Sequence, residues 1–401
     1  MSHPYKTIPA HQRWSKAVAA PAPAEVDPVV AFPWRLTPEE RIVTAGSCFA
    51  QHIARYLAKS GYGYYVAERG HPGLHPSIRE KHGYGLFSAR YGNIYTSRQF
   101  RQLFERVQGS FTPAEDAWTN GDGRYVDPFR PTVQPGGFHS VEELRADREV
   151  HFRALRKRAF RNADIFIFTL GLTETWVSRE DGAAFPLCPG VEGGSFDPDR
   201  HAFVNLTVDE VVADMETAIG YLRAYNPTVR VILTVSPVPL AATAIDRHVL
   251  VSTTLSKSVL RVAADILSRT VPDVAYFPSY EIITGSYNRG AYFASDLRSV
   301  TDAGVDHVMR LFFRHATVGR QEAPAAAMPA PEAAPTALGD TAPAGLAAQV
   351  RRLLAWRPAK PPAQPVPQPA APAPQSQTQP SFVDRMEEVT EAICEEALLD
   401  R

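Results

Sequence analysis

Two adjacent residues, Ser47 and Cys48, combine nucleophilic side chains with a position suited to catalysis. They follow Gly46, where a short apolar run at residues 41–45 gives way to a stretch with helical spacing. Unpaired backbone N–H groups and the positive dipole end at a helix start favour a thiolate or an oxyanion. A small residue, a nucleophile and then a helix therefore predict acyl transfer through a covalent intermediate. The alternative is structural: Ser47 caps the helix and Cys48 packs as a small hydrophobic residue.

Alternating strand-like and helix-like segments in the first 320 residues predict a parallel sheet covered by helices. The predicted strands are residues 41–45, 163–170, 229–235 and 274–277. The predicted helices are residues 49–57, 140–160, 207–225, 248–269 and 301–315. Parallel strands deliver their C-terminal residues to one edge of the sheet, where ligands bind. We therefore expect the residues that follow each strand, Ser47 and Cys48 among them, to lie at one edge.

Four sequence blocks make the chain recognisable. Thr44–Gln51 contains the pentapeptide GSCFA, and the blocks YGNIY (91–95), TLGLTE (169–174) and SPV (236–238) follow in order. On these motifs, over roughly residues 33–315, the chain resembles the GSCFA family, which is similar to the SGNH (GDSL-type) hydrolase superfamily of esterases and acyltransferases. The resemblance implies a three-layer α/β/α sandwich with a parallel, flavodoxin-like sheet. It also implies hydrolysis or transfer of an O-acyl group, such as acetyl, on a carbohydrate or another small hydroxylated substrate.

The resemblance assigns roles to the first two blocks. The superfamily motif G-D-S overlays Gly46-Ser47-Cys48 and puts Cys48 at the position of the nucleophilic serine, whereas a shift of one residue makes Ser47 the nucleophile. Cys48 is favoured because a thiol at a helix N-terminus can be activated without a strong base. Gly92 and Asn93 offer a backbone N–H and a side-chain amide to a developing oxyanion.

The third block departs from the superfamily pattern G-x-N-D. This chain has Gly171, Thr173 and Glu174 at the positions of its glycine, asparagine and aspartate. Without the asparagine, Thr173 or Glu174 replaces its function only in part. The structural alternative makes Gly171 a strand-ending turn residue and Glu174 a helix-capping or solvated carboxylate.

The last block, which supplies the general base in the superfamily, differs from the superfamily pattern even more than the third block does. The superfamily ends in D-x-x-H, and here Asp296 is followed by Ser299 at the histidine position. Three other histidines are candidates for the base that neutral-pH acyl chemistry needs, in the order His248, His139 and His307. His248 ranks first because it follows the loop after the 229–235 strand and so belongs to the ligand-binding edge. The missing histidine also supports a rival function, a non-catalytic binding module that keeps the fold.

Net charge, cysteine content and the absence of cofactor motifs indicate which partners, compartment and cofactors to expect. The chain of 401 residues has 42 Lys plus Arg against 43 Asp plus Glu, so no overall field favours nucleic acid or an anionic membrane. The three cysteines lack a C-x-x-C pair and predict a reducing, cytoplasmic compartment; a redox role for Cys48 would need Cys188 close by. No motif implies a metal or a bound cofactor.

Arg130 and Lys257 are expected to be solvated surface charges, with anion clamping as the alternative.

The chain is expected to divide into four parts. Residues 1–29 form an N-terminal extension and residues 30–316 the GSCFA domain. Residues 317–380 are rich in Pro and Ala and predict a disordered linker that contains a short basic helix. Residues 381–401 predict an acidic amphipathic helix, which a protein partner or the main domain would bind. No segment has the ~20 apolar residues of a membrane span.

Overall fold

The computed structural model describes residues 3–318, and the predicted linker and C-terminal helix lie outside this range apart from residues 317 and 318. The strands of the described part are β1 (Ile42–Gly46), β2 (Trp118–Thr119), β3 (Tyr125–Val126), β4 (Ile165–Leu170), β5 (Glu174–Ser178), β6 (Ala184–Phe185), β7 (His201–Asn205), β8 (Arg230–Val235) and β9 (Val274–Tyr276). The helices are α1 (Phe49–Ser60), α2 (Pro76–Lys81), α3 (Ser97–Gln108), α4 (Val141–Ala154), α5 (Phe160–Asn162), α6 (Val208–Tyr225), α7 (Val249–Thr270), α8 (Ser279–Thr284) and α9 (Asp302–Ala316).

The central sheet holds the strands that the sequence predicts. Its order is β1-β4-β8-β9, and every neighbouring pair is parallel. All residues of β1 and β4 are buried, as expected for apolar runs covered on both faces. The register pairs Gly46 with Thr169 and Thr169 with Thr234, so the C-terminal ends of β1, β4 and β8 lie side by side.

Helices cover both faces of this sheet. On one face, Val43, Phe166 and Val231 form a continuous core with residues of α3, α6 and α7. On the other face, α1 packs against β1 and β4 and contacts α9, which in turn contacts α8. The predicted three-layer α/β/α arrangement with a parallel sheet is thereby confirmed.

Local signals explain where the predicted helices begin and end. Helix α1 ends at Gly61, whose left-handed φ of 78° a residue with a side chain rarely adopts. Thr207 and Glu210 form the capping box that starts α6. Ser140 accepts the Glu143 N–H at the start of α4, but the Glu143 carboxylate accepts from the backbone of His139 rather than of Ser140, so a capping box forms only in part. The helical path continues through a π-helical turn at residues 155–159 into α5.

Several elements of the described part were not predicted from the sequence. They include the antiparallel sheet β6-β5-β7, the hairpin β2-β3 and the helices α2, α3 and α8. The small sheet begins directly after the block that ends β4, because β5 starts at Glu174 and pairs along its length with β7. It therefore holds the third sequence block in place.

The N-terminal segment also contacts the main body. Val26 is buried, and its carbonyl accepts a hydrogen bond from Nε2 of His307 on α9 at 3.0 Å. The Asp27 carboxylate lies 2.6 Å from Nε2 of His315 on the same helix. Whether residues 1–29 form a separate extension stays a prediction.

Candidate functional site

The turn from β1 to α1 is built around a glycine that no other residue can replace. Gly46 has φ +129°, and a Cβ there would lie 2.3 Å from the carbonyl oxygen of Thr169 on β4. The Ser47 N–H continues the strand ladder by donating to that same oxygen at 3.2 Å. Cys48 already has helical backbone angles, and the Ser47 carbonyl accepts from the Ala50 N–H at 2.9 Å. The chain thus passes from strand to helix within two residues.

Ser47 and Cys48 differ in how far they are buried. Ser47 is 2% exposed, and its Oγ is buried without a hydrogen-bond partner. Its Cβ lies 2.9 Å from where a Cβ on Gly171 would be, so the side chain faces the end of β4. Cys48 is 9% exposed and makes no side-chain capping bond at the start of α1. Of the two nucleophile candidates, Cys48 is nearer to the surface.

The second block is held against this turn. The Ile94 N–H donates to the Gly46 carbonyl at 2.8 Å, which brings Gly92 and Asn93 close to the turn. Gly92 has φ +66° with open space where a Cβ would be, and its N–H has no acceptor within residues 3–318. Asn93 is buried, and its Oδ1 accepts from Gln51 Nε2 on α1 at 3.4 Å. Gly92 therefore has a backbone N–H that the described residues leave without an acceptor.

The third block contributes its glycine to the turn but directs its polar side chains elsewhere. Gly171 and Leu172 both donate their N–H groups to the Tyr95 carbonyl, at 3.1 and 2.9 Å. Thr173 is buried, and its hydroxyl donates to Asn205 Oδ1 on β7 at 2.6 Å. Among the predicted oxyanion residues, the structure thus brings Gly171 to Ser47 and engages the Thr173 hydroxyl in the small sheet.

Glu174 anchors the loop that follows β8. Its Oε1 accepts from the Thr243 hydroxyl at 2.9 Å, and the Ala244 backbone also bonds to the carboxylate. Burial raises the pKa of Glu174, and these hydrogen bonds partly offset that effect. Leu240 of the same loop packs on Tyr95 and Leu172. The loop therefore lies beside the three converged blocks.

His248 ends this loop and caps α7. Its side chain is exposed, and Nδ1 accepts from the Leu250 backbone N–H at 3.2 Å. A neutral imidazole whose Nδ1 accepts carries its proton on Nε2 and has no lone pair left for a substrate proton. His248 can therefore act as a base only after this capping bond is broken.

The two other candidate histidines have different surroundings. His139 is exposed just before α4, and its backbone N–H donates to Glu143 at 2.8 Å. His307 is buried, with Nδ1 2.8 Å from the Tyr292 hydroxyl and Nε2 on the Val26 carbonyl. Burial and the nearby Arg310 lower the pKa of His307 to about 4. Both ring nitrogens of His307 are thus engaged in structural contacts.

Asp296 forms hydrogen bonds with Ser299, which occupies the position of the histidine in the superfamily pattern D-x-x-H. Its Oδ2 accepts from the Ser299 hydroxyl at 2.6 Å, and its Oδ1 accepts from the N–H groups of Arg298 and Ser299. The Arg298 Nε donates to the Pro239 carbonyl at 3.2 Å, so this turn contacts the loop after β8. The carboxylate that would orient a base in the superfamily pattern here orients Ser299.

Two basic residues expected at the surface are buried instead, so that expectation is wrong. Lys257 is 1% exposed, and its Nζ donates to the Gly171 carbonyl at 2.6 Å. Arg130 is 3% exposed and pairs with Asp127 and Asp147 at 3.0 and 2.9 Å. Contacts with Gly171 for Lys257 and with Asp147 for Arg130, which the neighbouring residues do not reveal, decide where these side chains lie.

The sequence analysis missed a buried carboxylate–histidine pair. His151 on α4 is fully buried, with Nδ1 2.7 Å from Glu68 Oε2, while its Nε2 has no hydrogen-bond partner. Burial lowers the pKa of His151 despite the nearby carboxylate. Burial of Glu68 opposes ionisation, but its contact with His151 and the hydrogen bond from the Arg90 N–H hold the pKa of that carboxyl at about 2. The pair lies 83 residues apart in the sequence, so no local spacing signals it.

This histidine lines a cavity that reaches the second block. About 360 Å³ of empty space, including the part open to solvent, lies between α3, α4 and the chain around Asn93. Its lining residues are Tyr91, Asn93, Ile94, Gln99, Leu103, Arg106, Phe129, Arg130, His151, Phe152, Ala184 and Pro186. Asn93 therefore belongs both to this cavity and to the cluster at the β1–α1 turn.

The described residues hold no metal cluster, membrane span or disulfide. Within residues 3–318, no group of three or more His, Cys, Asp or Glu side chains is placed to hold a metal ion. In the same range, no helix has the length and apolar character to cross a bilayer. Neither Cys48 nor Cys188 forms a disulfide in the described part of the chain, and burial raises the pKa of the Cys188 thiol to about 11. That shift disfavours Cys188 as a resolving thiolate.

The fold and the converged blocks define an α/β protein in which a strand-to-helix turn at the edge of a parallel sheet carries Ser47 and Cys48. The model of the GSCFA family matches residues 41–312, and the chain belongs to this family. A search of curated proteins found no match. Among solved structures, a carbohydrate esterase family 3 protein from Talaromyces cellulolyticus matches with 10% sequence identity and a TM-score of 0.31, over 68% of this chain and 94% of the esterase chain.

Proposed function

We propose that this protein is an esterase or acyltransferase that acts on O-acyl groups, such as acetyl, of a carbohydrate or another small hydroxylated substrate. The reaction and substrate class follow from the resemblance to SGNH enzymes. The observation that carries the proposal is the hydrogen bond from the Ile94 N–H to the Gly46 carbonyl. This bond joins the block that contains Gly92 and Asn93 to the β1–α1 turn that carries Ser47 and Cys48, called the nucleophile turn below. A nucleophile and an oxyanion donor must face the same carbonyl for covalent acyl transfer.

Cys48 is the proposed nucleophile. Its sulfur attacks the acyl carbon, a C–S bond forms, and the negative charge of the tetrahedral intermediate passes to the former carbonyl oxygen. The unpartnered N–H of Gly92 and the amide of Asn93 stabilise that oxygen. Collapse breaks the C–O bond and releases the alcohol, and water or a second hydroxyl then cleaves the thioester. The N-terminal end of α1, where Cys48 lies, favours the thiolate.

We propose that one of the two exposed candidate histidines, His248 or His139, is the general base that transfers protons during the reaction. His248 belongs to the loop that packs on Tyr95 and Leu172, and loss of its contact with the Leu250 N–H frees a lone pair. His139 makes no comparable side-chain cap in the described part of the chain. Replacement of the true base by Gln should lower kcat about 10²-fold or more. Replacement of the other histidine should leave kcat within about twofold, because an exposed side chain away from the reaction contributes little.

One observation favours a second candidate function, a binding module without catalysis. The Asp296 carboxylate accepts from the Arg298 and Ser299 backbone and from the Ser299 hydroxyl, and no histidine within residues 3–318 hydrogen-bonds to it. Restoring the superfamily residue with Ser299→His separates the two functions. A module that lost only its base should gain esterase activity in this variant, whereas an enzyme that uses another histidine should gain little.

The direct test measures p-nitrophenyl acetate hydrolysis by the wild type, Cys48→Ala and Ser47→Ala, together with the rate of thiol alkylation by iodoacetamide. Cys48→Ala should abolish turnover, and Ser47→Ala should lower it by no more than about tenfold, since its hydroxyl is buried behind the turn. Cys48 should also react faster than Cys188, whose raised pKa disfavours its thiolate. Equal turnover in all three proteins, with no preferential alkylation of Cys48, would exclude the proposed mechanism.

A further inference from the structure

The cavity beside Asn93 contains hydrogen-bonding groups that the protein itself leaves unused. Nη1 of Arg130, Nε of Arg106 and Nε2 of His151 are buried and have no hydrogen-bond partner among residues 3–318. The three residues line the same cavity. Buried polar groups without partners are uncommon because each costs free energy, so three in one cavity need an explanation.

The ion pairs of Arg130 show which of its edges faces the cavity. Nε and Nη2 bond to Asp127 and Asp147, and neither carboxylate residue lines the cavity. The remaining donor, Nη1, therefore belongs to the edge exposed to the cavity. Similarly, the Nδ1 side of His151 faces Glu68, which does not line the cavity, so Nε2 is on the opposite side of the ring.

Arg106 carries a charge that no ion pair neutralises within residues 3–318. The ion-pair network beside it is balanced, with four arginines against four carboxylates: Arg90, Arg130, Arg145 and Arg148 against Glu68, Asp116, Asp127 and Asp147. Arg106 stands outside this network: its guanidinium lies over the Phe129 ring at 3.9 Å, and its buried Nε has no hydrogen-bond partner among the described residues. A partly buried guanidinium without an anion is costly. One negative charge in the cavity would give Arg106 a partner.

His151 adds an acceptor to these donors. Its Nδ1–H donates to the ionised Glu68, and the neutral ring then carries a lone pair on Nε2. This lone pair would repel a bare oxyanion but accepts a hydrogen bond from a hydroxyl. The site thus combines two cationic donors for an anionic group with one acceptor for a neighbouring hydroxyl.

We propose that this cavity binds the carboxylate of a small hydroxycarboxylic acid, or of a larger molecule that ends in one, through Arg106 and Arg130, with His151 Nε2 accepting from the hydroxyl. A single negative charge matches Arg106, the cavity guanidinium that forms no ion pair within residues 3–318. The planar carboxylate suits guanidinium donors, whose hydrogen bonds to carboxylates are short and strong. The proposal stands without acyl transfer at Cys48, because none of the three binding groups belongs to the nucleophile turn.

The test is calorimetric titration of the full chain with sodium glycolate, and with sodium acetate for comparison, at constant ionic strength. Glycolate should bind at one site, and acetate about tenfold more weakly because it lacks the hydroxyl. In ¹⁵N spectra, glycolate should shift the Nε2 resonance of His151. Acetate binding as tightly as glycolate would remove the role of His151, and the absence of saturable binding by either anion would overturn the proposal.

Matched variants locate the site. Arg106→Gln removes a guanidinium that makes no internal hydrogen bond, so the fold should survive while glycolate binding weakens about tenfold or more. Arg145→Gln is the control, because this arginine is exposed at the outer side of the same network and does not line the cavity. Equal weakening by both variants would indicate a general charge effect and overturn the proposal. Repeating the titration with Cys48→Ala protein separates this result from the outcome of the esterase assays.

Discussion

Ser47 and Gly171 meet so closely that no further atom fits between them. A Cβ on Gly171 would lie 2.9 Å from the Ser47 Cβ and 2.9 Å from the Tyr95 carbonyl oxygen. This contact joins the first and third sequence blocks, and the Ile94–Gly46 hydrogen bond joins the first and second. The backbone of the candidate site is thus interlocked by contacts between residues that are far apart in the sequence.

Gly171→Ala should therefore disturb the site and the fold together. The added methyl group collides with backbone as well as with Ser47, and such overpacking typically costs ~1–3 kcal/mol of unfolding free energy. Turnover should fall with stability because the nucleophile turn is displaced. Denaturant unfolding and ester hydrolysis check the two effects.

Gly220→Ala provides the matched control for that substitution. Gly220 lies within α6 and has open space where a Cβ would be. Alanine in a helix interior should raise the unfolding free energy by ~0.5–1 kcal/mol and leave turnover intact. An unfolding free energy of Gly171→Ala that equals or exceeds that of the wild type, as expected for Gly220→Ala, would show that the Ser47–Gly171 contact is not tight.

Ser47→Ala should not destabilise the protein. The Ser47 hydroxyl is buried without a partner, so its removal should change the unfolding free energy by between zero and a gain of about 1 kcal/mol. Thermal and urea unfolding measure this change, with Thr173→Val as a comparison because the Thr173 hydroxyl bonds to Asn205. A loss of 2 kcal/mol or more in Ser47→Ala would mean that this hydroxyl has a partner in the folded protein.

Glu174→Ala should release the loop after β8. This carboxylate holds the Thr243 hydroxyl and the Ala244 backbone, and hydrogen bonds to a charged group contribute ~1.5–3 kcal/mol. Trypsin should then cleave after the exposed Arg247 at least about tenfold faster, because local opening becomes more frequent. Glu216→Ala, at an exposed position of α6, serves as the control and should leave this cleavage unchanged.

Stability should decline in mild acid partly because of His307. Its pKa is about 4 in the folded protein, against an ordinary value of 6.5, since burial disfavours the charged ring. Between these values the unfolded chain binds a proton that the native state does not, so the unfolding free energy falls as the pH drops from 6.5 to 4. The full contribution is on the order of 3 kcal/mol.

The variant His307→Gln isolates this contribution. It removes the titrating ring and should flatten the stability profile between pH 6.5 and 4, whereas His139→Gln, an exposed position, should not. Urea midpoints across this pH range provide the measurement. If the unfolding free energies of the wild type and of His307→Gln fall equally between pH 6.5 and 4, His307 does not cause the loss of stability in mild acid.

The central fold was predictable because its elements carry strong local signals. The apolar runs that became β1, β4 and β8 have little polar interruption, and Gly61, Ser140 and Thr207 mark helix ends by their intrinsic backbone and capping preferences. The short strands of β6-β5-β7 lack such signals, since two to five residues offer too little periodicity.

Strand ends and family motifs predicted which segments form the candidate site, but they predicted nothing beyond that. Gly46, Ser47 and Gly171 converge as the parallel sheet requires, and Ile94 joins Gly92 and Asn93 to them. The surroundings of the side chains were not predictable, because partners such as Glu68 for His151 and Asp147 for Arg130 come from distant segments. Burial of Lys257 and Arg130 likewise depends on tertiary contacts rather than on neighbouring residues.

The most direct test of the account is to trap the acyl-enzyme. The protein is mixed with p-nitrophenyl acetate, quenched in acid within the first turnover and digested, and the peptides are sequenced by mass spectrometry. We predict an acetyl group on Cys48 in the wild type and none on the corresponding peptide of Cys48→Ala. Acetylation of Ser47, or steady turnover with no acetyl group on either residue, would contradict the account.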